Sequence, residues 1–206
     1  MRTLMAIVGV LALAGCAPAP EPAATANNST AAAVPAPEAL PSTAPAPANA
    51  LTATGWGPLA IGMTRAEIVK ALGDDADPGA VGGPEPEACD QFRPARAPAG
   101  MLVMLEDGKL TRISVSEPGV RTGRGLQVGD SAAAVKQAYG DALVVQPHKY
   151  VEAPAQYLTA WTGTKPAKPD VDDPAARGVR YETDDKGKVT MIHAGGPSIQ
   201  YIEGCL

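Results

Sequence analysis

The sequence predicts an α+β fold made of two tandem repeats, each a short helical segment packed on antiparallel strands, joined in one sheet with its helices on one face. Three observations lead there. The run Leu59 to Asp74 matches Leu126 to Asp141 at a constant offset of 67 residues. Both copies carry the start and stop signals of a two-turn helix. Each is followed by two strand-like runs around a Gly-containing turn, the signature of a β-hairpin. Helix followed by strands, twice, favours a helical layer on one face of an antiparallel sheet. The expected bounds are 51–119 for repeat one and 120–206 for repeat two.

In repeat one, Thr64 is the N-cap, and Glu67 three residues on completes a capping box. Met63 and Ile68 occupy the two positions of a hydrophobic staple, Ile68 and Leu72 share one face, and Gly73 stops the helix. So short a helix is held by packing rather than by propensity. In repeat two Ser131 is the cap, Val135 and Tyr139 face the core, and Gly140 is the stop. Ala134 stands where the capping-box Glu would be, so this helix has the weaker start. The first hairpin runs Met101 to Leu105, turns through Glu106, Asp107, Gly108 and Lys109, and returns from Leu110 to Val115. The second runs Val179 to Thr183, turns from Asp184 to Lys188 and returns from Val189 to Ala194, at an offset of 79. The difference between the offsets places an insert in repeat two, at Thr162 to Arg177, which is rich in Pro, Lys and Asp. Further strands are expected at Tyr157 to Trp161, at Ser198 to Glu203 and around Cys89.

Alternation along a strand assigns faces. Thr111, Ile113, Val115, Thr190, Ile192 and Ala194 are expected under the helices. Leu110, Arg112, Ser114, Val189, Met191 and His193 are expected on the opposite face, which no second helical layer covers. Aromatic and arginine side chains favour interfaces, and repeat two holds most of the rings. The candidate partner-binding residues are therefore Arg112, Arg180, Met191, His193, Tyr157 and Trp161, with Tyr157 and Trp161 as an alternative stacking platform for glycan or peptidoglycan fragments.

The amino terminus reads as a secretory leader over residues 1–15. Arg2 supplies the positive charge, Leu4 to Ala14 form an apolar run too short to span a bilayer, and Leu13-Ala14-Gly15-Cys16 follows. That tetrapeptide resembles the lipobox of bacterial lipoproteins, which implies lipidation of Cys16. Ala17, where an Asp would favour inner-membrane retention, implies anchoring in the outer membrane, with the periplasmic face the expected orientation. Several acyl chains on one residue anchor stably. Residues 16–50 hold almost only Ala, Pro, Thr, Ser and Asn, with Glu21 and Glu38 the sole charges. Such a segment buries too little apolar surface to order itself and reads as an extended tether. Of the three cysteines, one carries lipid, and in an oxidising compartment Cys89 and Cys205 are expected to form a disulfide.

The repeat start, Ile61-Gly62-Met63-Thr64 through Glu67-Ile68 to Leu72-Gly73, is similar to that of β-lactamase-inhibitory-protein-like domains and of small outer-membrane assembly lipoproteins related to BamE. The resemblance implies a tandem α+β domain whose sheet offers a concave protein-binding face. A disulfide between the halves departs from the within-repeat bridges of that inhibitor. The stretch Gly108 to Gly140 also resembles an enterobacterial family of stress-regulated lipoproteins.

Enzyme signatures are weak in the sequence. Gly129-Asp130-Ser131 has the look of a GDS-type nucleophile, but Ser131 aligns with the helix cap Thr64. His148 and His193 lack metal-ligand spacing, and Asp170, Asp172 and Asp173 run into Pro174 rather than completing a calcium loop. A net charge of −5 disfavours nucleic acid, which needs a basic footprint. The expectation is a non-enzymatic, cofactor-free, outer-membrane-anchored protein that binds another envelope protein or supports envelope assembly. Glycan binding is the alternative, and a hydrolase the least supported reading.

Overall fold

The computed structural model describes residues 48–205. The expected leader, the lipidation site Cys16 and the tether up to residue 47 lie outside them. Near the start of the described residues Leu51 is fully buried, and its backbone pairs with Arg121 and Gly123. A two-stranded ribbon follows, β1 (Gly55–Trp56) with β2 (Leu59–Ala60).

Helix α1 spans Arg65–Leu72, and its capping box is complete. The Glu67 amide donates to Thr64 Oγ1 at 3.3 Å and the Thr64 amide donates to Glu67 Oε2 at 2.7 Å. Helix α2 spans Ala132–Tyr139 with only the forward bond, Ala134 N–H to Ser131 Oγ at 3.1 Å. The reciprocal bond cannot form, because Ala134 has no acceptor. Gly73 and Gly140 both end their helices at positive φ, 87° and 53°, a conformation that costs little without a Cβ.

Strands β3 (Cys89–Phe92), β4 (Met101–Glu106), β5 (Lys109–Val115), β6 (Leu143–Pro147), β7 (Gln156–Trp161), β8 (Gly178–Thr183) and β9 (Val189–Gly195) form one antiparallel sheet. Its order is β3-β4-β5-β9-β8-β7-β6, so the two hairpins meet along β5 and β9. The first hairpin turns through Asp107 and Gly108 at φ 49° and 72°, as the two-residue turn that matches strand twist requires. Ile68 and Leu72 of α1 and Val135 of α2 pack with Val103, Leu105, Ile113, Val115, Leu158, Tyr181 and Ile192 in one core. Burying each such aliphatic side chain is worth ~1.5–3 kcal/mol. No helix among the described residues is long and apolar enough to cross a membrane.

Two expectations are corrected. Leu110 and Val189 lie in the core under the helices, not on the opposite face, while Thr190 is exposed. The cause is a β-bulge in each hairpin. Met104 faces Arg112 but Leu105 faces Leu110, leaving Thr111 unopposed; Glu182 faces Met191 but Thr183 faces Val189, leaving Thr190 unopposed. One extra residue reverses the side-chain parity of everything before it. Leu110 then exchanges backbone hydrogen bonds with Gly62 and Met63, and Val189 with Gly129 and Asp130, at the entrance to each helix. The second correction concerns Ser198 to Glu203. No strand forms there; Pro197–Gln200 is a 3₁₀ turn started by its proline, and the buried Arg112 guanidinium donates to the carbonyls of Ser198 and Tyr201.

Candidate functional site

The face opposite the helices is built by alternate residues of β3, β5, β9, β8 and β7. Gln91, Arg112, Ser114, His193, Arg180, Glu182 and Tyr157 project from it, and a continuous polar chain links most of them. Ser114 Oγ lies 2.7 Å from His193 Nδ1, and His193 Nε2 lies 3.1 Å from Glu182 Oε1. The second Glu182 oxygen is 3.9 Å from His148 Nε2. The His148 ring stacks on Tyr157 at 4.5 Å, and Arg180 lies over the Tyr157 ring at 3.9 Å. At the other end Arg112 bonds Gln91 Oε1 at 3.3 Å.

Burial sets the charge states. The Arg112 guanidinium is pushed down to about 10 by desolvation, so it is still a cation at neutral pH. Desolvation lowers Arg180 as well. Burial would raise the Glu182 carboxyl, but the His193 hydrogen bond and neighbouring positive charge outweigh it and hold Glu182 below the ordinary range. Burial lowers His193, leaving a neutral imidazole. A neutral ring beside a carboxylate donates its one N–H to that carboxylate, so the proton sits on Nε2 and the Nδ1 lone pair faces Ser114.

The C-terminal segment crosses part of this face. Ile199 packs with Val144 and Trp161, and Val171 and Ala176 of the Thr162 to Arg177 insert join them. Gln200 clasps Val171 through bonds to both its backbone N–H and C=O. Cys205 then closes on Cys89 across 116 residues, with a Cα separation of 5.5 Å. Gly204 passes Gln91 so closely that a Cβ would stand 2.7 Å from its Nε2. Between this segment and the sheet lies a pocket of ≈ 200 Å³ lined by Gln91, Arg112, Ser114, Met191, His193 and Ile202, with Glu203 at its rim. A wider groove of ≈ 440 Å³ runs between Lys149 and residues 200–204. Tyr201 and Ile202 line it and stand exposed at 45% and 38%, and Tyr150, next in the chain to the lining Lys149, is 59% exposed.

Comparison with protein-family models, with curated proteins and with solved structures gives no match. Of the six candidate partner-binding residues, Arg112, Arg180, His193, Tyr157 and Trp161 are buried, and Met191 keeps partial exposure. Arg112, Met191 and His193 border the ≈ 200 Å³ pocket under the C-terminal segment, and Trp161 packs with Ile199 of that segment and with Val171 and Ala176 of the insert. Tyr157 is enclosed between His148 and Arg180, which leaves neither ring face for a sugar. Thr64 and Ser131 serve as helix caps, and among the described residues no cluster of His, Cys, Asp and Glu has a metal-binding arrangement.

The exposure of Tyr150, Tyr201 and Ile202 was not legible, since nothing local distinguishes them from core residues. The Ser114 and His193 pair had a signal. The two occupy matching hairpin positions 79 residues apart, and antiparallel pairing of β5 with β9 sets them directly opposite each other.

Proposed function

We propose that this chain is a lipid-anchored outer-membrane protein, held through Cys16 and an extended tether, whose domain is a tandem pair of α+β repeats that binds another envelope protein. The observation that carries the reading is the open groove between Lys149 and residues 200–204, in which Tyr201 and Ile202 stand exposed, with the exposed Tyr150 next in the chain to Lys149 and its ring under the Lys149 ammonium at 5.0 Å. Large rings on an otherwise polar rim are what a protein partner buries most profitably. The matched helix caps and the matched bulges at Thr111 and Thr190 support descent of both halves from one unit. The packing of Tyr157 against His148 and Arg180 speaks against glycan stacking there, and the burial of Arg112 and Arg180 favours the exposed groove over them as the contact surface.

The test is site-specific photocrosslinking of the full-length, membrane-anchored protein. A photoreactive side chain at position 150 or 201 should give one discrete protein adduct, and at Lys136 on the exposed side of α2 should give none. The combined substitution Y150A/Y201A should reduce a competing interaction by about tenfold or more, since two interface anchors each contribute about 1–2 kcal/mol or more. The same adducts from all three positions, or none, would overturn the reading.

A further inference from the structure

Beyond partner binding, and in departure from the non-enzymatic expectation, we propose that Ser114, His193 and Glu182 form a nucleophile, base and carboxylate relay that cleaves short acyl esters in the pocket beneath residues 202–204. Nucleophile to base is 2.7 Å and base to carboxylate 3.1 Å, both within the reach that proton transfer needs. All three side chains project from adjacent strands of one rigid sheet, β5, β9 and β8, so their spacing is fixed by backbone register: Ser114 faces His193, and Arg180, next but one to Glu182, also faces His193. The relay is not sealed, because Ser114 and His193 both line the ≈ 200 Å³ pocket.

The protonation states are the ones the chemistry requires. A buried neutral His193 offers Nδ1 as acceptor to the serine hydroxyl, while Nε2–H is held by the ionised Glu182. The nitrogens are used in the reverse order to a serine-protease triad, but the requirement is only one lone pair toward the nucleophile and one N–H toward the acid. Arg112 stands two residues before Ser114 on the same strand face and lines the same pocket. Its Nε has no partner although buried, and its positive charge is placed to stabilise a developing oxyanion. The pocket is smaller than the ~300–1,000 Å³ of sites for drug-sized ligands, and Leu102, Met191 and Ile202 supply its apolar lining. An ester of a short acyl group fits that size and polarity.

In the first half-reaction the Ser114 Oγ–H proton passes to Nδ1 as Oγ bonds the acyl carbon. The ester C–O bond breaks, and the leaving alkoxide takes the proton from Nδ1. Water then attacks the acyl-serine, gives a proton to Nδ1, and the Oγ–C bond breaks with return of that proton to Oγ. Ester and water become acid and alcohol, with no other reactant.

The experiment treats the purified full-length protein in detergent with a fluorophosphonate probe and maps the label by peptide mass spectrometry, alongside p-nitrophenyl acetate turnover. Label on the Ser114 peptide is expected. Turnover should fall to background in S114A, fall by about 10²-fold or more in E182Q, and stay unchanged in S131A. It should rise with pH as His193 loses its proton. Peptide mapping of the unaltered protein needs no variant to fold. No label, label elsewhere, or turnover surviving in a folded S114A would overturn the proposal. None of those outcomes touches the partner-binding rim.

Discussion

Replacing both Cys89 and Cys205 by Ala removes the disulfide that ties the end of the C-terminal segment back to β3. The bridge spans 116 residues, and closing a loop of that length in the unfolded chain is worth about 4.8 kcal/mol on the chain-entropy model. For a domain of about 150 residues, each kcal/mol moves the melting temperature by about 2–4 °C, so the double variant should melt about 10–19 °C lower. Residues 197–204 keep their non-covalent anchors, the Arg112 bonds to Ser198 and Tyr201 and the burial of Ile199. The sheet should therefore stay folded at room temperature. Tryptophan fluorescence during thermal and urea unfolding measures this directly, since Trp161 packs beside Ile199. A melting temperature within about 2 °C of the unaltered protein would refute the reasoning, because it would mean that the unfolded chain gains little freedom when the bridge is lost.

Two other perturbations test separate parts of the structure. Thr64→Ala should cost about 1 kcal/mol and more than Ser131→Ala, because α1 also loses the Thr64 side chain's contact with Glu67 Oε2, whereas α2 has a single cap bond; urea midpoints of the two variants decide the order, and equal losses would contradict the capping-box argument. Acid should destabilise the fold in two stages. His193 and Glu182 both titrate below their ordinary ranges when folded, so the unfolded chain binds more protons and stability falls as pH falls. The His193 contribution is complete above the ordinary imidazole value of about 6.5 and declines below it, and that of Glu182 declines below the ordinary carboxyl value of about 4.5. Urea midpoints that hold steady or rise between pH 7.5 and 5 would contradict the assignment of His193 as a buried neutral group.

Much of the fold was legible because its signals are local. Thr64 with Glu67, Ser131 with Ala134, and Asp107-Gly108 each act within four residues, and the structure places α1, α2 and the first hairpin where those signals put them. The strand at Leu143–Pro147 was missed: it is an edge strand whose Val145 is half exposed, so it lacks a clean apolar alternation. The face assignment of Leu110 and Val189 failed because a bulge is a property of two strands together. Period-two reasoning on one strand cannot see the extra residue at Thr111 or Thr190. The burial of Arg112 and Arg180 was not legible for a related reason. Arg112 and Arg180 resemble surface residues in composition, and their burial depends on a segment more than 80 residues away in the case of Arg112 and Ser198.

By itself the sequence determined the caps and the turns, since each follows from residue chemistry at short range, and its expectation that Cys89 pairs with Cys205 came from setting Cys16 aside as the lipidation site; the structure shows that pair bridged. Only the tertiary structure decided which face is covered and by what, and which polar side chains meet. The alignment of Ser114, His193 and Glu182 comes from the register of three strands that converge from both halves of the chain, and register is set by the packed core and its bulges rather than by any one strand's own residues.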